Sequence, residues 1–146
     1  GEGDPWFAAL AKPDFYPDAQ LFPIVWGILY VMMGLAFALV CSAWGAKGRG
    51  IAIVAFIVQF ALNLAWTPLF FGQHEITYAL YLIAALNVMI LITMILFARV
   101  RKLAAVLLIP YLAWSIFAGY LNYEIQQMNP EADGADTTGA VQRIDL

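Results

Sequence analysis

Four apolar stretches, residues 21–43, 51–71, 76–97 and 103–123, constrain this chain more than anything else in it. Each has just over twenty residues. At about 1.5 Å per helical residue each reaches roughly 30–35 Å, the thickness of a bilayer's hydrocarbon core. Backbone inside lipid has to satisfy its own N–H and C=O groups, and a single segment does so as a helix. The chain is 64% hydrophobic and 12% charged, whereas about a quarter of a soluble domain is charged. The expected fold is all-α, an integral membrane helical bundle with four transmembrane helices. Residues 1–20 precede the bundle as an extramembrane loop rich in aromatics and proline. Residues 124–146 follow it as a polar tail, expected to be disordered.

Charge assigns the sides. Lys47 and Arg49 lie between the first two spans, and Arg99, Arg101 and Lys102 between the last two. No acid accompanies these five, and all ten Asp and Glu residues fall on the other side. The positive-inside rule makes the two basic loops cytoplasmic, or topologically equivalent. The leading loop, the Gln73-His74-Glu75 turn and the tail are then outside. A chain that starts outside needs a way across. A further helix ahead of Gly1 is the simplest expectation, and unaided translocation of a short tail is the alternative.

The second span carries the most informative face. Asn63, Trp66, Thr67 and Phe70 are spaced i, i+3, i+4 and i+7, so a helix gathers them on one side. Pro68 has no N–H to offer the Leu64 carbonyl and tends to kink the helix there. Span one carries the stripe Phe22, Trp26, Tyr30, Met33 and Phe37. Span four carries Trp114, Ala118 and Leu121. If the three faces converge, they line an outward-opening pocket. Indoles would stack on a flat apolar ligand, and Asn63 and Thr67 would fix its polar edge. The alternative is an interfacial aromatic belt with ordinary core packing, which suits Trp44 at a span end better than mid-span Trp114.

Other chemistries find little support. Cys41 stands alone, and His74 has no neighbouring Cys or His, so no metal site is expected. No carboxylate pair lies at mid-membrane, Ser115 has no histidine base within reach, and nothing resembles a phosphate loop or a nucleic-acid motif. No charged residue lies mid-span to mark an ion pathway. Gly34-x-x-x-Ala38 and Ala61-x-x-x-Ala65 allow close helix approach, within the chain or in a dimer.

Several motifs together resemble one family. Trp6-Phe7-x-x-Leu10-x-Lys12-Pro13 with Pro17 resembles the W-Y-x-x-L-x-K-P…P-P loop of the TspO/translocator-protein family, also called the peripheral benzodiazepine receptor or tryptophan-rich sensory protein. Phe22-Pro23-x-x-Trp26-x-x-x-Tyr30 resembles its second helix. Asn63-x-x-Trp66-Thr67-Pro68-x-Phe70-Phe71-Gly72 resembles its third, and Pro110-Tyr111-x-x-Trp114…Leu121-Asn122-Tyr123 its fifth. The match runs in order from Trp6 to about Asn129.

The resemblance implies a fold of five transmembrane helices, the first of them absent from this sequence. It implies a receptor-like protein of a bacterial membrane, often a homodimer, that binds porphyrins such as protoporphyrin IX as a sensor or regulator. No cofactor is required, since porphyrin is the ligand, and the lipid bilayer is the other partner. Ligand-lining positions of the family fall on Phe7, Pro17, Trp26, Tyr30, Asn63, Trp66, Thr67, Phe70, Trp114, Ala118 and Leu121. Light-dependent porphyrin breakdown is an alternative implied for some bacterial members, and its two tryptophans fall on Trp26 and Trp114. Tetrapyrrole or sterol transport is a third possibility. Phe7 replaces the family's usual Tyr, and Tyr16-Pro17 stands where Pro-Pro is common. No Lys or Arg occurs between Tyr123 and Arg143, which weakens any claim to a sterol motif.

Overall fold

The computed structural model describes residues 5–18 and 20–133. Among these residues all the regular structure is helical, with no strand, and four helical stretches are long and apolar enough to cross a membrane. A short helix α1, Pro5–Ala9, precedes them. The spans are α2, Leu21–Cys41; α3, Arg49–Thr67, continued by a π-helical turn Pro68–Gly72; α4, Ile76–Val100; and α5, Lys102–Leu107, with α6, Ile109–Met128. A single 3₁₀ turn, Pro130–Ala132, follows.

The boundaries differ from expectation in three informative places. Pro68 does not simply kink its helix. With no N–H at 68, the ladder widens: Gln73 N–H bonds the Pro68 carbonyl at 2.9 Å, and Glu75 N–H bonds the Leu69 carbonyl at 3.0 Å. Such wide turns replace missing α-bonds at a local break. The last span is not continuous either. It breaks at Leu108, whose N–H bonds the Ala105 carbonyl at 3.0 Å, two residues before Pro110 withdraws a donor. Third, α6 continues past Tyr123 to Met128, so residues 124–133 are folded and not part of a disordered tail. The rest of that tail, and Gly1 to Asp4 of the leading loop, lie outside the described residues.

Outward faces are apolar, with Ile24, Ile28, Val31 and Leu35 on α2 and Ile51, Val54 and Ile57 on α3 all exposed. A bilayer supplies the solvent for such faces. Inside, Leu29, Met33, Phe56, Leu86, Ile90, Phe97 and Tyr111 form one buried cluster. Helix α3 packs chiefly against α4, α4 against α6, and α2 against α5 and more lightly α3. Between α2 and α3, Gly45 and Gly48 turn with φ of 79° and 84°, values that a side chain resists. Arg49 closes this turn. Its guanidinium donates twice to the Cys41 carbonyl, at 3.0 and 2.8 Å, and lies 4.4 Å over the Trp44 ring. The basic turns share one end of the bundle. At the other end the N-terminal segment covers it.

Candidate functional site

A cavity of about 290 Å³ lies under the N-terminal segment. Helix α2 offers it Phe22, Trp26 and Tyr30, at i, i+4 and i+8, so one stripe faces in. Helix α3 and its π turn offer Asn63, Trp66, Thr67, Phe70 and Phe71. Ile83 and Leu86 come from α4, and Ala118, Leu121, Asn122 and Ile125 from α6. Phe7 and Tyr16 close it from above. Among the described residues, none that lines the cavity is charged.

The rings hold one another in place. Trp66 stacks on Phe70 at 5.1 Å and meets Phe71 edge-on at 5.8 Å. Trp26 leans on Tyr30 at 5.8 Å and meets Tyr111 edge-on at 6.4 Å. Such pairs fix ring planes beyond what area burial does.

Two sets of hydrogen bonds fix the polar groups. Trp66 Nε1 donates to Asn122 Oδ1 at 3.0 Å, and Asn122 Nδ2 donates to the Ile76 carbonyl at 3.0 Å. This indole is thereby held by α6 and α4 together. On the side toward the basic turns, the Tyr30 hydroxyl donates to Asn63 Oδ1 at 2.8 Å, and Asn63 Nδ2 donates to the Tyr111 hydroxyl at 3.0 Å. Tyr111 in turn donates to Gln59 Oε1 at 2.6 Å. Three helices meet in this chain of polar groups. In a lipid-embedded bundle such bonds define helix rotation because water offers no substitute.

The cover is latched. Trp6, Phe7 and Leu10 are buried against Phe70, Ile76, Ala79 and Ile125. Trp6 stacks on His74 at 4.1 Å, and its indole donates to the Ala132 carbonyl at 3.2 Å. Asn129 pairs with the Ala11 backbone from both ends of its amide: it accepts from the Ala11 N–H and donates to the Ala11 carbonyl, each at 2.8 Å. Lys12 Nζ holds the Phe7 and Leu10 carbonyls at 2.9 and 3.1 Å and sits 4.5 Å from the Phe7 ring centroid. His74 is buried in this stack at a positive φ of 57°. Among the described residues no three His, Cys, Asp or Glu side chains come together to hold a metal ion.

The structure gathers nine of the eleven sequence-derived positions on this cavity: Phe7, Trp26, Tyr30, Asn63, Trp66, Thr67, Phe70, Ala118 and Leu121. Pro17 is part-buried beside the cover and does not line it. Trp114 is the main correction. It stands behind Phe22, edge-on at 5.6 Å, and lines a separate hollow between α2 and α6 with Val25, Ile28, Met32, Pro110 and Phe117. Tyr111, Ser115, Ala118, Asn122 and Ile125 form the inner stripe of α6, and Trp114 lies at its edge, four residues and about 40° from Ala118, with its ring against α2. Trp26 and Trp114 therefore do not share a cavity. Phe22 of the α2 stripe lines the cavity as well, whereas Met33 and Phe37 of that stripe pack in the core. Tyr16, Phe71, Ile83, Leu86, Asn122 and Ile125 line it without having been read as lining residues. Phe22 and Asn122 were signalled by their stripe and motif. Ile83 and Leu86, within a uniformly apolar span, carried no signal.

The model of the TspO/MBR family matches residues 1–128. "Tryptophan-rich protein TspO" of Chlorobaculum tepidum is 44% identical over 126 residues, 86% of this chain and 80% of that protein. "Translocator protein" of Bos taurus is 38% identical, over 88% of this chain and 78% of the bovine one. "Tryptophan-rich sensory protein" of Cereibacter sphaeroides is 36% identical, over 88% of this chain and 82% of that one.

Proposed function

The chain belongs to the TspO/MBR family, and from that premise we propose that it binds a flat, largely apolar ligand of the porphyrin class as a membrane sensor or regulator. It is a multi-pass membrane protein in contact with the lipid bilayer, and its bacterial relatives fit a bacterial membrane. One observation carries the proposal: a cavity under a latched cover, walled by stacked aromatic rings with a hydrogen-bonded polar edge at Tyr30 and Asn63. Small-molecule sites are concave and apolar with a few placed polar groups.

The volume sets a condition on the pose. About 290 Å³ is the low end of ligand pockets, and a tetrapyrrole macrocycle is larger. It would enter edge-first and leave its remainder in the shallow hollow that opens between α2 and α3 and shares Tyr30 with the cavity, or it would lift the cover. Binding is favoured over light-driven breakdown because Trp114 stands outside the cavity that holds Trp26. Homodimer formation is a further part of the proposal. Gly34, Ala38, Ala61 and Ala65 are exposed on outward faces, where a second copy can approach closely.

Titration of protoporphyrin IX into the purified protein in detergent, followed by tryptophan quenching, tests the ligand. Trp66→Ala is expected to weaken binding by about 1–3 kcal/mol, the scale of a lost aromatic wall. Trp44→Ala, at a position 82% exposed near the basic end, is expected to leave it unchanged. Absence of saturable quenching in the unsubstituted protein overturns the porphyrin assignment.

A further inference from the structure

Gln59 lies outside the cavity lining and is 1% exposed, yet it terminates the hydrogen-bond chain that begins at the cavity wall. We propose that Gln59 is a specificity-determining residue: acting through Tyr111 and Asn63, it lets Tyr30 offer the occupant of the cavity either a hydrogen-bond acceptor or a donor. The proposal rests on reading this cavity as the binding site.

All the hydrogens in the chain point one way. Tyr30 donates to Asn63 at 2.8 Å, Asn63 to Tyr111 at 3.0 Å, and Tyr111 to Gln59 Oε1 at 2.6 Å. The Tyr30 hydrogen is therefore committed away from the cavity, and its oxygen lone pairs are what an occupant meets. A ligand N–H or O–H is matched by this sense.

The same four side chains close equally well in the opposite sense. Rotation of both amides puts Gln59 Nε2 on the Tyr111 oxygen. Tyr111 then donates to Asn63 Oδ1, Asn63 Nδ2 donates to the Tyr30 oxygen, and the Tyr30 hydrogen is free for a ligand acceptor. Tyrosine hydroxyls both donate and accept, and each amide carries one end of either kind. Asn63 keeps a spare N–H and a spare lone pair in either sense, so the difference is made at Tyr30.

A second observation shows why neither sense is locked. In the observed sense Gln59 Nε2 is buried with no hydrogen-bond partner. In the reversed sense the unpaired group is Oε1, and a buried carbonyl lacking a partner is tolerated better than a buried N–H. Reversal thus removes one penalty and introduces a comparable or smaller one. The occupant's own hydrogen bond is large enough to select the sense.

Removing the Gln59 amide abolishes the choice. With Leu at 59, the observed sense leaves the Tyr111 hydroxyl hydrogen buried without an acceptor, whereas the reversed sense still pairs every hydroxyl hydrogen but that of Tyr30, which faces the occupant. A donor ligand then meets a donor.

Carbazole, a flat N–H donor, and acridine, a flat nitrogen acceptor kept neutral at pH 8, are the probes, titrated by fluorescence against the whole chain in detergent. Gln59→Leu is expected to weaken carbazole binding about tenfold, the loss of one buried hydrogen bond, and to leave acridine binding unchanged. Gln59→Met, closer in length, is expected to behave the same way and serves if the leucine variant folds poorly. In a Tyr30→Phe background the two probes are expected to respond alike to the change at 59. A purely structural role for Gln59 weakens both probes together, and that result overturns the proposal. So does an unchanged carbazole affinity, or no binding of either probe to the unsubstituted protein. Protoporphyrin titrated into the same samples separates the two ideas. A probe-selective shift without porphyrin binding overturns the porphyrin assignment alone.

Discussion

Asn122 shows how much one side chain can settle in a bundle of this kind. Its carbonyl oxygen accepts the Trp66 indole N–H and its amide nitrogen reaches the Ile76 carbonyl, so it ties α3 and α4 to α6 at the cavity wall. Asn122→Leu keeps the bulk and removes the acceptor, which leaves the Trp66 N–H buried and unpaired. The expected loss is about 1–3 kcal/mol of stability, the range for a stranded buried donor. Thermal unfolding in detergent measures it, with Trp66→Phe as the matching variant. Because Trp66→Phe needs no acceptor at 122, adding Asn122→Leu to it is expected to lower stability less than the same change in the native background. Equal losses in the two backgrounds would show that the bond contributes nothing. Tyr16, Phe22 and Phe7 meet through ring contacts, Tyr16 with Phe22 at 5.5 Å and Phe7 with Tyr16 at 6.0 Å.

Among the elements, the N-terminal segment is the one that lies over the cavity. The Asn129–Ala11 pairing, the Trp6–Ala132 bond, ring stacking and the burial of Trp6, Phe7 and Leu10 hold it there. The π turn at Pro68–Gly72 supplies its seat, since Phe70 and Phe71 both pack against Phe7 at 6.2 and 5.1 Å. Asn129→Ala removes two of the latch bonds, each worth about 1 kcal/mol net. Porphyrin release, followed by stopped-flow fluorescence, is then expected to accelerate roughly tenfold. Association is expected to accelerate as well, so that Kd moves less than either rate, because loosening a cover eases passage in both directions. An unchanged release rate would mean that ligand enters by another route, with the α2–α3 opening beside Tyr30 the first to examine.

For the molecule as a whole, sidedness is the property on which everything else hangs. The basic turns and the latched cover lie at opposite ends of the spans, with Arg101 exposed at one and Glu131 at the other. Cysteines placed singly at 101 and at 131, in a Cys41→Ala background, are expected to react with an impermeant maleimide from opposite faces of sealed vesicles. Labelling from the same face would refute the single span between them, Lys102–Met128, and would put the cavity mouth on the wrong side. The charge partition that orients the chain is local to its loops, so the variants themselves should not invert it.

The sequence by itself determined the number of spans among the described residues, which loops share an end of the bundle, and the α3 face of Asn63, Trp66, Thr67 and Phe70. Lipid acts on each helix separately, through hydropathy and flanking charge, and those are properties of short windows. Tertiary structure alone decided where the Trp114 ring goes. Ala118 and Leu121, read with it on one α6 face, do line the cavity, whereas Trp114, at the edge of that face, packs edge-on against Phe22 and lines the hollow between α2 and α6. Helical spacing places a residue on a face but does not choose its rotamer, and a ring at the edge of a face goes to the side where a neighbouring helix offers it contacts. The same holds for Phe71, brought to the cavity by a π turn that a proline permits but does not dictate, and for Gln59 and Tyr111. Their roles depend on hydrogen bonds across 48 and 52 residues of chain, which form only once the helices have found their rotations.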